Sequence, residues 1–175
     1  RNLIDRNPGN LVKSIRTEGT KREFLTLQEV QKLTEKPCDE LYLKEAFLFS
    51  VLTGLRWSDI FNLTWADVKG NEIEGWYVQP WIHKTKEYLV LPISKQAHGI
   101  LGARKTLDEK VFKYLQHSSR NSVALSRWAL SAGIHKKITF HCARHTHATL
   151  LLTEGVSIYT ISKLLGHKLL KSTEE

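Results

Sequence analysis

The sequence predicts an α+β fold: a mostly helical domain interrupted by one small antiparallel three-stranded β-sheet. Three observations carry this reading. Apolar residues recur at helical spacing over residues 26–62 and again over 94–165. Between them, residues 72–93 are rich in β-branched and aromatic side chains, with a polar break at Lys84-Thr85-Lys86-Glu87. The chain has 175 residues, 41% of them hydrophobic, which suits one domain with a real core and falls short of two.

Each element follows in order. Residues 1–22 are polar and charged around the turn signal Asn7-Pro8-Gly9-Asn10 and read as a linker or extended arm. Thr26-Leu27-Gln28-Glu29 is a capping box, in which the Thr hydroxyl takes a backbone N–H and Glu29 reaches back. A helix should run from there to about Glu35 and end before Pro37. Leu41, Leu43, Ala46, Phe47, Phe49, Val51 and Leu52 predict a mostly buried helix over 40–53, stopped by Gly54. Ser58 is placed to cap a short helix through Asn62. The three strands fall at 72–78, 81–83 and 88–93, the last hairpin turning near Lys84, and Pro80 suits an edge or a bulge. Helices return at 94–103, 108–115, 121–132, 141–154 and 157–165, with Gly133, Gly155 and Gly166 where C-caps belong. No internal repeat or low-complexity segment interrupts them.

Net charge is +8 and the pI about 9.5, which points to a polyanionic partner. No apolar run approaches the ~20 residues that span a bilayer. Cys38 and Cys142 are the only cysteines, too few for a disulfide framework and without zinc-ligand spacing, so a reducing cytoplasm is expected. The chain opens on Arg1 with no signal-peptide pattern and contains no Met, which suggests an excised fragment.

Three dispersed basic segments stand out as parts of one phosphate site. They are Thr53-Gly54-Leu55-Arg56 with Trp57-Ser58-Asp59-Ile60, then His141-Cys142-Ala143-Arg144-His145, then Leu165-Gly166-His167. Two fixed guanidiniums offer phosphate the bidentate geometry it accepts best. On a helix, Arg144 lies about 60° to one side of His141 and His145 about 40° to the other, so all three can face one site. Ala148 and Leu152 continue that stripe into the expected core, while His147 points about 120° away. The plain alternatives are definite. Arg56 could simply pair with Asp59, three residues on; Lys84 could be one more solvated turn lysine; His167 could cap a helix end. The His141/His145 spacing invites a zinc reading, but Cys142 stands where a metalloprotease needs Glu, and no metal is expected.

The order and spacing of these segments resemble the catalytic domain of the tyrosine recombinases (phage-type integrases), over nearly the whole chain from about Phe24. Residues 23–175 would be that catalytic domain, and the basic arm 1–22 the linker from a core-binding domain that is missing. The resemblance assigns Arg56, Lys84, His141, Arg144 and His167 to catalytic positions, with Asp59 and His145 in support. In the family a catalytic lysine sits on the β-hairpin, commonly before Thr, as Lys84-Thr85 does here; Lys86 is the fallback. The nucleophilic tyrosine is absent. Thr173-Glu174-Glu175 matches the lead-in to it, and the pattern places the tyrosine just past Glu175. Tyr159 and the other tyrosines lie outside any matching motif.

The resemblance further implies site-specific DNA integration or recombination, cleaving and rejoining double-stranded DNA through a 3′-phosphotyrosyl link without cofactor. It implies a tetramer of the full-length protein on paired sites, a monomer for this fragment, and a bacterial, nucleoid-associated location. Type IB topoisomerases share the chemistry, but the compact spacing and Leu-Gly-His look more like an integrase. The competing classes are a DNA-binding module of the same fold without activity, and a metal-dependent hydrolase on His141 and His145.

Overall fold

The computed structural model describes residues 22–82 and 86–166. Helix α1 (Leu27–Glu35) starts at the expected capping box: Glu29 N–H donates to Thr26 Oγ1 at 3.2 Å, and Thr26 N–H to Glu29 Oε2 at 2.7 Å. Helix α2 (Leu41–Thr53) is apolar on every side and is the central helix, as such a pattern requires. Phe47 meets Trp128 and Phe140 edge-on at 5.7 and 5.8 Å, and Phe49 packs on Phe112 at 5.5 Å. Gly54 ends α2 in the left-handed conformation (φ 70°), its N–H bonded to Ser50 O. The short α3 (Trp57–Asn62) begins two residues earlier than expected, with Arg56 rather than Ser58 at its N-cap.

After a 3₁₀ turn (Trp65–Asp67) come β1 (Val68–Asn71), β2 (Gly75–Val78), β3 (Trp81–Ile82), β4 (Glu87–Tyr88) and β5 (Leu91–Ile93). The three-stranded antiparallel sheet is present in the order β1-β2-β5, registered Val68↔Val78 and Val78↔Leu91. Its strands differ from those expected: β1 is not among them, the expected strand at 81–83 lies outside this sheet in β3, and the other two are altered locally. Residues 72–74 form a turn, because Asn71 Oδ1 takes the N–H groups of Ile73 and Glu74. Gly70 then faces Gly75 so closely that a Cβ there would collide with the Gly75 carbonyl oxygen. The expected strand 88–93 is also divided: Tyr88 belongs to a separate β3–β4 ribbon (Trp81↔Tyr88), whereas Leu91–Ile93 pairs with β2. Pro80, which has no N–H to give a ladder, lies at the break and only accepts, from Leu89 N–H.

Helices α4 (Lys95–Leu101), α5 (Arg120–Ser131), α6 (Phe140–Thr153) and α7 (Ile158–Leu164) stand within a few residues of expectation. Ser94 and Ser157 cap α4 and α7 through their hydroxyls. The helix expected at 108–115 is not there. Its backbone pairs with residues 63–66 instead: Trp65 N–H bonds Glu109 O, Ala66 N–H bonds Leu107 O, and Val111 N–H bonds Leu63 O. A helical ladder cannot form from groups already engaged elsewhere. Phe112 and Leu115 are nonetheless buried, so the apolar spacing reported the core and not the helix.

Helix α6 packs on α2 through its smallest residues. Ala143 and Thr146 are fully buried, and Thr146 Oγ1 also accepts the Leu25 N–H from the far end of the chain. The expected core stripe of Ala148 and Leu152 is therefore corrected: Leu152 is 56% exposed. The helix is turned so that Arg144, not His141, lies against α2.

Candidate active site

The left-handed turn after α2 is the base of the site. Arg144 reaches it from α6 and is 5% exposed, a depth that demands partners for every charge. Its Nη1 donates to Gly54 O and its Nη2 to Leu165 O, both at 2.6 Å. Two helix ends, each with unsatisfied carbonyls, thus hold one guanidinium. Burial, with the charge of Arg56 next, pulls the Arg144 pKa down to about 9, against the opposing pull of Asp59.

Arg56 stands two residues past Gly54, and its side chain is 17% exposed. Asp59 is buried and accepts the Arg56 backbone N–H at 3.1 Å, which closes the first turn of α3. The guanidinium itself lies 3.9 Å from Asp59 Oδ2, an ion pair too long for a hydrogen bond. Asp59 thus fixes the backbone at Arg56 and stands as the ion-pair partner of its mostly buried side chain. Trp57 then packs edge-on to Phe140 at 4.7 Å, tying the start of α3 to the start of α6.

His141 is exposed, and its ring meets His145 at 4.6 Å in a T-shaped contact. Burial first, then the charges of His141, Arg22 and Arg144, lowers the His145 pKa to about 4, so this ring is neutral near pH 7. Among the described residues, no group of three His, Cys, Asp or Glu could hold a metal ion. Cys142, in the N3 position, accepts the Thr139 N–H at 3.2 Å in the role usually taken by a carboxylate.

The structure thus brings Arg56, Asp59 and Arg144 together, with His145 partly buried near Arg144 and His141 exposed against His145. Lys84 and His167 lie outside the described residues, as does Thr173. Their flanks are close: a Cβ at Gly166 would sit 3.7 Å from Leu89 Cδ2, so the root of the β3–β4 ribbon and the end of α7 meet. Sequence reasoning missed the carbonyls of Gly54 and Leu165, because a backbone acceptor carries no residue signature. It also left His147 unassigned. That ring is largely buried, with Nδ1 2.9 Å from Val51 O.

The profile described as "Phage integrase family" matches residues 23–175. Among curated proteins, the chain is 30% identical to the "Tyrosine recombinase" of Pseudothermotoga lettingae, over 98% of this chain and 61% of that protein. It is 26% identical to the "Tyrosine recombinase XerC" of Thermodesulfovibrio yellowstonii over 98% and 63%, and 27% identical to the "ICEBs1 integrase" of Bacillus subtilis over 98% and 54%. The chain therefore spans about three-fifths of the length of these relatives. Its fold is shared with the XerA recombinase crystal structure (TM-score 0.71, 23% identity, 97% of this chain and 62% of that one). It is shared equally with a lambda integrase dimer bound to a COC′ core site (TM-score 0.72, 23% identity, 98% and 53%). With that profile matching most of its length, the chain belongs to the phage integrase family.

Proposed function

We propose that this chain carries the phosphate-activating part of a site-specific DNA recombinase, a tyrosine-type strand transferase. The observation that carries the reading is the convergence of Arg56 and Arg144, from different elements, on the turn at Gly54. Two like charges held within reach of one another suit an anion bound between them. The net charge of +8, and the COC′ core site to which the lambda integrase dimer is bound, suit a DNA phosphodiester as that anion.

Residues 23–175 would be the catalytic domain and 1–22 an arm leading from another domain. A tyrosine from beyond Glu175 attacks the phosphorus; the P–O5′ bond breaks, and the 5′-oxygen takes a proton from Lys84. Arg56 and Arg144 hold the non-bridging oxygens as negative charge grows on them, with His167 as a further donor. His141, exposed beside the His145 ring, assists the tyrosine's proton transfer or supports the phosphate, and neutral His145 backs it. The phosphotyrosyl bond conserves the energy of the broken link, so a 5′-hydroxyl from a partner strand reseals it with the same groups in reverse. No metal or other cofactor enters. Partners would be double-stranded DNA and three further copies of the protein on paired sites, in a bacterial cytoplasm at the nucleoid.

Covalent trapping tests this. The protein with its native flanks, incubated with a pool of nicked duplexes, should give a denaturant-stable DNA adduct that protease removes. Salt-sensitive DNA binding with no adduct from a pool containing its site would refute it and favour a binding module.

A further inference from the structure

His147 is the one histidine of the His141–His147 stretch that the proposed chemistry leaves unused. It lies one turn beyond Arg144 on α6, so the two side chains project toward the same end of α2. Arg144 Nη1 donates to Gly54 O, and His147 Nδ1 stands 2.9 Å from Val51 O. A carbonyl only accepts, so the proton is on Nδ1. Carbonyls in the last turn of a helix lack partners within it, and α6 supplies two here from one face. The ring is also wedged in place: a Cβ at Gly54 would come within 2.7 Å of His147 Cδ2 and 2.6 Å of Leu165 Cδ2. His147 Nε2 is buried with no hydrogen-bond partner among the described residues, so the Nδ1–H is the ring's only polar link.

Arg56 follows Gly54 by two residues. Its position relative to Arg144 is consequently set through the joint that His147 closes. We propose that His147 is a positioning residue for the phosphate site: its Nδ1–H bond to Val51 O locks the end of α2 against α6 and fixes the separation of the Arg56 and Arg144 guanidiniums. The effect on chemistry rests on the strand-transfer reading; the effect on geometry does not.

Three substitutions separate positioning from packing. His147→Asn keeps an N–H at the δ position and loses volume. His147→Phe keeps volume and loses the N–H. His147→Gln moves its amide to the ε position. In the intact protein, single-turnover cleavage of a nicked duplex should fall about 100-fold in the Phe and Gln variants, the cost of a misplacement near 1 Å. Their DNA dissociation constants should change by less than about threefold, because phosphate contacts elsewhere supply most affinity. The Asn variant should cleave within about fivefold of wild type despite a lower Tm. A pure packing role reverses the order, with Phe active and Asn impaired, and that result overturns the proposal. The Arg56 and Arg144 Nε–H resonances give an independent decision. They should move in the Phe variant and stay in the Asn variant; unchanged positions in both would overturn it. If the wild-type protein forms no adduct at all, the strand-transfer reading falls and these resonances still decide the role of His147.

Discussion

Replacing Gly54 with Ala tests the joint on which the whole site is built. Two costs can be worked from the structure. The backbone at Gly54 is left-handed (φ 70°), which costs an L-residue about 1–2 kcal/mol. The added Cβ would lie 2.6 Å from Leu165 Cδ2 and 2.7 Å from His147 Cδ2, closer than such atoms approach. Leu165 is 3% exposed and His147 is hydrogen-bonded, so neither can move aside without disturbing its neighbours. Overpacking of this kind costs about 1–3 kcal/mol. The sum, about 2–5 kcal/mol, is a large share of a typical domain's total stability. Gly133→Ala is the internal control, because its φ is 73° and nothing lies within 4 Å of its Cβ. That variant should lose only the backbone cost of about 1–2 kcal/mol. Urea unfolding with linear extrapolation would measure both. Equal losses for the two variants would refute the claim that Gly54 is a packed three-way junction of α2, α6 and α7.

Further outcomes follow from the charges. His145 has its pKa depressed to about 4, so the unfolded chain binds a proton that the folded one refuses as pH falls from about 6.5. Stability contributed by the neutral ring is present above that pH and lost on descent to about 4; allowing for the ring's partial exposure, the loss is about 1–2 kcal/mol. The urea midpoint of His145→Phe should therefore vary less over this window than that of wild type, and parallel curves would contradict the assignment. Asp59→Asn should keep the acceptor for Arg56 N–H and cost under about 1 kcal/mol, whereas Asp59→Ala should cost about 1–2 kcal/mol by removing the cap. Equal thermal shifts for the two would show that Asp59 acts through its charge alone.

Much of this architecture was legible in the sequence, for reasons that differ element by element. Helix α1 was readable because Thr26 and Glu29 are both local and chemically specific. Helix α2 was readable because a continuous apolar run closed by glycine has few other homes. The absent helix at 108–115 shows the limit: its residues have suitable spacing, but their amides and carbonyls are claimed by Leu63–Ala66, more than forty positions away. Local pattern cannot report a partner at that distance. The strand at 72–74 failed for a smaller reason, a single Asn71 side chain converting strand into turn. In the site, periodicity expected Arg144, His141 and His145 on one face and misjudged depth: Arg144 is buried and His141 exposed. The stripe through Ala148 and Leu152 looked like the core face, whereas the small residues Ala143 and Thr146 let α2 approach and took Arg144 inward with them. The side chains of a phosphate site can be found by type and spacing; the carbonyls that hold them cannot.

The central claim is that Arg56 and Arg144 grip a phosphodiester whose bond is exchanged for a link to protein. The most direct measurement is mass spectrometry of the trapped adduct from the protein with its native flanks, set beside Arg56→Lys. The account predicts a nucleotide on a tyrosine following the Thr173-Glu174-Glu175 lead-in. It also predicts at least about a tenfold loss of adduct in the lysine variant at unchanged DNA occupancy, because a point charge cannot reproduce the guanidinium fork. An adduct on any other residue, or one formed equally well without the Arg56 guanidinium, would contradict it.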